Sequence, residues 1–282
     1  MSIPVNDFRK VTRGLATALV LWIFVAGAQA QQKQEFSYSV GPEVVISITN
    51  NCGPITVKPS AKRQVIVTII SHSDKATFVN EQHARRIELR ADSTAAGVGQ
   101  VEYNVLVPAD AFVTMRSTSG PLRVDGLRGD MVLETNSATV EVTNISDAHV
   151  HIRTLSGPIT LSDIHNSRLD VHSVNGDINI HDVTGPSVAA VSEQGHVSYD
   201  GNPGPGGDYL LSSRTGSLDV SIPATAPVQI STHEVKDAGP VISNLLPPAQ
   251  GPPGSQGFKS GLASVSRFVI RTFSGKIFLK RP

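Results

Sequence analysis

One spacing recurs eight times along this 282-residue chain and leaves little freedom in how it can fold. A small residue, Gly in all copies but one, has apolar side chains seven and five positions before it and two and four positions after it. The copies centre on Gly53, Gly120, Ala138, Gly157, Gly176, Gly195, Gly216 and Gly275. Between Gly120 and Gly216 the steps are 18, 19, 19, 19 and 21 residues. A unit of that size cannot bury its apolar face alone, so units of this kind stack into a solenoid.

The apolar columns give the local structure. Before the turn stand Val113/Met115, Met131/Leu133, Val150/Ile152, Leu169/Val171, Val188/Ala190 and Tyr209/Leu211; after it stand Leu122/Val124, Val140/Val142, Ile159/Leu161, Ile178/Ile180, Val197/Tyr199 and Leu218/Val220. Ile46/Ile48 with Ile55/Val57, and Phe268/Ile270 with Ile277/Leu279, extend the columns to the outlying copies. Apolar residues at every second position are the signature of a strand with one buried face. Each unit is therefore two short strands meeting at a corner. The expected fold is all-β, a parallel β-solenoid of about 19 residues per coil capped by an antiparallel patch near the N-terminus. Parallel crossovers favour a right-handed wind. At the usual strand spacing, the rungs from Gly120 to Gly216 make a rod about 24 Å long.

A polar column runs beside the apolar ones. Three positions before each turn lies Asn50, Ser117, Thr135, Thr154, Ser173, Ser192, Ser213 or Thr272. The period-2 count points these residues inward, which favours a structural hydroxyl ladder over a ligand-binding array. Gly at the corner suits either a positive φ or a close approach of backbone to backbone. Ala138 breaks the rule, so its corner need not be left-handed.

The regular coils occupy residues 113–223. Residues 31–112 hold the first coil and the expected antiparallel cap, built from Val65–Ile70, Ile87–Arg90 and Val101–Val107. Residues 224–265 lose the pattern, and Pro240–Gly261 carries Pro247-Pro248 and Pro252-Pro253, so an irregular excursion is expected there. Residues 266–282 return as a closing coil. His83-Ala84-Arg85-Arg86 is a compact basic cluster, read as a solvated loop or strand edge.

The first 30 residues read as a secretory signal. Arg9, Lys10 and Arg13 precede the apolar run Leu15–Ala28, and Ala28-Gln29-Ala30 offers cleavage after Ala30. An uncleaved anchor is the alternative; beyond this segment no further membrane span is expected. Export places the protein in the periplasm or at the cell surface. With 24 basic and 24 acidic residues the formal charge is zero, which argues against a nucleic-acid partner. Cys52 stands alone, so no intrachain disulfide can form.

Two sets of outward residues carry candidate chemistry. Four positions before the turn, Glu134, Arg153 and His172 fall on consecutive rungs and form a candidate binding ladder. Six positions after the turn, Asn144, Asp163 and Asp182 stack, with His181 adjacent and Asp200 close by. Stacked carboxylates could share a proton or hold Ca²⁺, so Asp163 and Asp182 are the candidate catalytic pair of a carbohydrate-active β-helix. Against this, Asp and Asn are favoured turn residues, and no Arg or Lys ladder lies beside them to receive an anionic sugar. The nine His show no metal-ligand spacing, and neither a metal nor a cofactor is expected.

The repeated octads sharpen this reading. Ser117-Thr118-Ser119-Gly120-Pro121-Leu122-Arg123-Val124, Thr154-Leu155-Ser156-Gly157-Pro158-Ile159-Thr160-Leu161, Ser173-Val174-Asn175-Gly176-Asp177-Ile178-Asn179-Ile180 and Thr272-Phe273-Ser274-Gly275-Lys276-Ile277-Phe278-Leu279 are variants of one motif. Through them the chain resembles a bacterial family of exported, adhesin-type proteins with β-strand repeats, the domain of unknown function numbered 4097. The resemblance implies a β-solenoid in the envelope or on the surface and brings no catalytic residues with it. The expected function is a non-enzymatic binding or scaffolding module whose partner is an envelope protein or glycan. The alternative is the enzyme built on Asp163 and Asp182.

Overall fold

The computed structural model describes residues 32–71, 77–92, 101–234, 241–243 and 265–280. The chain opens with β1 (Gln32–Ser39), β2 (Val45–Asn50) and β3 (Ile55–Pro59). Four longer strands follow: β4 (Gln64–Ser71), β5 (Thr77–His83), β6 (Arg86–Asp92) and β7 (Val101–Val107). The regular array begins with β8 (Phe112–Ser117), β9 (Leu122–Asp125), β10 (Met131–Thr135), β11 (Val140–Ser146), β12 (His149–Thr154) and β13 (Ile159–His165). It continues through β14 (Arg168–Ser173), β15 (Ile178–Val183), β16 (Ser187–Ser192), β17 (Val197–Asp200), β18 (Asp208–Ser213) and β19 (Leu218–Ser221). The last four are β20 (Val228–Glu234), β21 (Val241–Ser243), β22 (Ser266–Thr272) and β23 (Ile277–Lys280).

These strands form two long sheets, one of 12 strands and one of 11, whose apolar faces meet. In the array every coil gives its first strand to one sheet and its second to the other, and each pairs in parallel with the equivalent strand of the next coil. Leu133 thus lies beside Ile152, Ile152 beside Val171 and Val171 beside Ala190. All four are fully buried. The alternation of the sequence therefore becomes one continuous interior column, and the chain is a parallel β-solenoid.

The corner column owes its glycines to crowding between rungs. A Cβ on Gly157 would overlap the carbonyl oxygen of Ala138, and one on Gly176 would overlap that of Gly157. Close approach, rather than a left-handed φ, is the reason for these glycines. The inward hydroxyls complete the corner. The N–H of Gly176 donates to Ser173 Oγ at 2.7 Å, and the same bond recurs along the array. Ser213 Oγ accepts from Gly216 N–H at 3.0 Å and donates to the carbonyl of Gly195 at 2.8 Å, tying one rung to the next. At Ala138 the bond to Thr135 Oγ1 stretches to 3.2 Å, the longest of the series, where the one larger corner residue is accommodated.

The ends depart from the expected plan. Only part of the 61–112 region is antiparallel: β4 pairs antiparallel with β1 and β7, and β5 with β6. β6 and β7, however, pair in parallel with β2 and β3, so they form a further coil with Ile87 beside Ile46 and Tyr103 beside Ile55. More residues separate β6 from β7 than separate the two strands of a regular coil, which is why the spacing hides it. At the other end, part of the expected irregular stretch 224–265 is ordered as β20 and β21. They flank β22 and β23, which pair on their inner side with β18 and β19. Residues 266–282 therefore do not close the rod; their coil lies one rung in. The Ala30 cleavage site lies outside the described residues, as does most of Pro240–Gly261.

Candidate functional site

The outward columns of the 11-stranded sheet shape a groove on the surface of the described residues. Residues four before each corner project from this sheet, and residues two before it project at the corner. Between the two columns lies an open groove of about 510 Å³. Parallel registry places Arg116, Glu134, Arg153 and His172 side by side along its floor. Leu155 and Val174 form its corner rim, 52% and 38% exposed.

The sequence ladder Glu134–Arg153–His172 is thus brought together, but its charges are shared differently from a simple chain. Glu134 Oε2 accepts from Arg116 Nε at 2.8 Å, one rung toward the N-terminus. His172 Nε2 lies 3.0 Å from Asp170 Oδ1, and His151 Nδ1 lies 2.9 Å from Asp170 Oδ2. Asp170 therefore holds two imidazoles from adjacent rungs. Among the described residues no carboxylate pairs with Arg153, although charges flank it on both sides. Arg116 and Asp170 complete the site beyond the three residues read from sequence. Both were legible in the same register: Arg116 stands four before Gly120, and Asp170 stands six before Gly176, on the outward parity.

The acidic column has another explanation. Asn144, Asp163 and Asp182 stand on successive rungs as expected, but their backbones are left-handed, with φ of 55°, 54° and 50°. Gly126, at the equivalent place one rung earlier, has φ of 77°. Asn and Asp tolerate this region better than other residues with a Cβ. The recurring residue type is thus accounted for by a left-handed kink within the second strand, across which the rungs keep their register. Asn144 Nδ2 donates to Asp125 Oδ1 at 2.7 Å. Among the described residues no group of three or more His, Cys, Asp or Glu is placed to hold a metal ion. Three further histidines have partners: His181 sits 3.1 Å from Asp200, His196 3.2 Å from Asp219, and His165 3.2 Å from the Thr184 hydroxyl.

The basic cluster is a solvated strand edge, as its composition implied. Arg85 pairs with Glu43, His83 with Glu81, and Ala84 takes a positive φ at the turn. Cys52 is partly exposed at its corner, where Ser119 Oγ lies 3.7 Å from its sulfur. No helix among the described residues is long and apolar enough to cross a membrane.

Fold and surface together define a class: an all-β parallel solenoid with a buried apolar interior and outward-facing polar rung columns. More particularly, the profile of the Toastrack family, DUF4097, matches residues 45–237, and the chain belongs to that family. Its fold is similar to several solved structures at low identity. A "putative adhesin" from Bacteroides fragilis shares 11% identity, covering 89% of this chain and 98% of its own, with a TM-score of 0.46. A "putative cell adhesion protein" from Clostridium sporogenes shares 11%, covering 89% and 100%, with a TM-score of 0.31. A "putative lipid binding protein" from Parabacteroides distasonis shares 9%, covering 87% and 96%, with a TM-score of 0.41. No curated protein matches.

Proposed function

We propose that this protein is an exported, non-enzymatic binding module of the cell envelope, adhesin-like in its mode of action. Its docking face is the groove over Arg116, Glu134, Arg153 and His172. The observation that carries this reading is Arg153, a guanidinium without a carboxylate partner among the described residues, in the groove whose rim carries the exposed apolar side chains of Leu155 and Val174. Its neighbours are already engaged, Glu134 by Arg116 and His172 by Asp170, so the groove has one unspent cation. Such a site suits a protein partner that presents an acidic side chain next to an apolar one. The planar fork of Arg receives a carboxylate bidentately, and the rim takes the apolar neighbour. Family membership supports the exported setting, and the basic and apolar N-terminal segment supplies a route to it.

The test is capture from envelope extract by the full chain and by Arg153→Gln and Leu155→Ser variants. The proposal expects an envelope protein held by the native chain and lost from both variants, while an Arg267→Gln control keeps it. Equal capture by all four removes the groove from the function. Mass analysis of the exported protein's N-terminus checks cleavage after Ala30.

A further inference from the structure

The C-terminal coil occupies a slot that any copy of itself would fit. β22 is paired along its full length on both sides, to β18 and to β20, and β23 is paired to β19 and to β21. Phe268, Ile270, Ile277 and Leu279 are buried in the common interior. The Phe268 ring stacks on Tyr209 with centroids 4.4 Å apart and planes within 8°. Its corner repeats the central ones: the N–H of Gly275 donates to Thr272 Oγ1 at 2.8 Å, and a Cβ there would overlap the carbonyl oxygen of Gly216. What holds this coil is thus the shared register of the array.

Its tether is out of proportion to the task. Elsewhere a short link carries the chain from one coil to the next, as residues 184–186 do between β15 and β16. Between β21 and β22 the chain has residues 244–265. Extended, that length reaches about 70 Å at roughly 3.3 Å per residue, whereas the neighbouring rung lies about 4.8 Å away. A coil that enters its slot out of chain order, on so long a tether, makes the same contacts whichever molecule supplies it.

We propose that the slot between β18–β19 and β20–β21 accepts the C-terminal coil of a second copy, giving a dimer in which two chains exchange residues 266–280. Exchange replaces each native contact by its equivalent, so its cost is the association entropy alone, offset at high protein concentration. The occupant is a second copy because the slot demands the full set of this coil's features: four apolar positions, an inward Thr272 and Gly275 at the corner.

The experiment uses full chains carrying Cys52→Ser. Leu210 and Val269 are direct cross-strand partners, half-buried on the outer face. One chain carries Leu210→Cys and the other Val269→Cys; they are mixed, refolded at high concentration and oxidised. Exchange predicts a covalent heterodimer on a non-reducing gel, at least tenfold stronger than in a control mixture of Val132→Cys with Val269→Cys. A single chain carrying both Leu210→Cys and Val269→Cys must also close its own disulfide when refolded dilute. The proposal is overturned if that chain closes but the mixture gives no more heterodimer than the control. It is equally overturned if the double-cysteine chain fails to close, since β22 then does not lie beside β18.

Discussion

The middle of the rod and its two ends solve the same stacking problem in different ways. In the middle, order along the chain equals order in space, and each corner is tight enough to require Gly or one Ala. At the ends that equality fails. The first full copy, β2–β3, lies inside β6–β7, and the last, β22–β23, lies inside β20–β21. In both places the chain leaves the array, builds the outermost rung, and leaves the copy nearest the terminus one rung in. The two ends also differ from each other. β4 and β1 extend one sheet antiparallel beyond β7, and β5 extends the other beyond β6, whereas the described strands beyond β22–β23 are β20 and the three-residue β21. An open solenoid end exposes unpaired strand edges, and antiparallel strands with charged residues such as Lys33, Glu35 and Glu81 make a poor template for further pairing. The comparison teaches that the repeat sets the interior, while separate segments terminate it.

Several measurements would break or sharpen this contrast. The largest effect belongs to the central corners. Gly176→Ala forces a Cβ onto the carbonyl of Gly157 with rungs fixed on both sides, and is expected to cost about 4 kcal/mol in urea unfolding. Gly275→Ala meets Gly216 in the same way but lies near an end that can yield, so its cost should be smaller. Equal costs would mean that the ends are as rigid as the middle.

Next comes the interior column. Ile152→Ala empties a fully buried site and should cost about 3 kcal/mol. Ile230→Ala, on the half-buried outer strand β20, should cost about 1 kcal/mol. Between these two lies Ser213→Ala, which leaves the Gly216 N–H and the Gly195 carbonyl without their shared partner. About 2 kcal/mol is the expected loss, read from the same unfolding curves.

Alkali sets the ends of the rod, which carry the buried tyrosines with raised values, against its middle. Burial is the first cause pushing the Tyr199 and Tyr209 hydroxyls above their ordinary value, and Tyr38 near the other end is raised for the same reason. The folded state keeps these protons after the unfolded chain, titrating near 10, has begun to lose them. Their stabilising contribution is therefore complete below about pH 10 and is lost as pH rises above it, by about 1 kcal/mol at pH 11 for Tyr199. Hydrogen exchange from pH 9 to 11 should accelerate in β18 and β22 before β8 and β10. Simultaneous loosening would remove the distinction. The smallest effect is Arg116→Ala: its pair with Glu134 is exposed, so stability should change by only about 0.5 kcal/mol.

Much of this architecture is written along the chain. Apolar residues at alternate positions decide which way each side chain points, and that is a local property of an extended backbone. The 19-residue step then decides which positions stack. Both are legible without coordinates, and so are the inward hydroxyls and the grouping of Glu134, Arg153 and His172. The coil β6–β7 escaped detection because the extra residues between its two strands shift the later half out of phase. The acidic column was legible in position and in its turn-residue character, since Asn and Asp are the residues that tolerate the left-handed φ found at Asn144, Asp163 and Asp182.

What tertiary structure alone decided is who neighbours whom where the repeat is interrupted. Every coil carries nearly the same apolar pattern, so hydrophobic burial cannot distinguish one slot from another, and the order of rungs at the ends depends on link lengths and on what can cover the last edge. The same holds for the exposed charges. Registry places Arg116, Glu134, Arg153 and Asp170 near several oppositely charged neighbours, and only the packed side chains show that Glu134 goes to Arg116, that Asp170 takes two histidines, and that Arg153 has no carboxylate partner among the described residues. A periodic sequence determines the face of each residue; the folded chain determines its company.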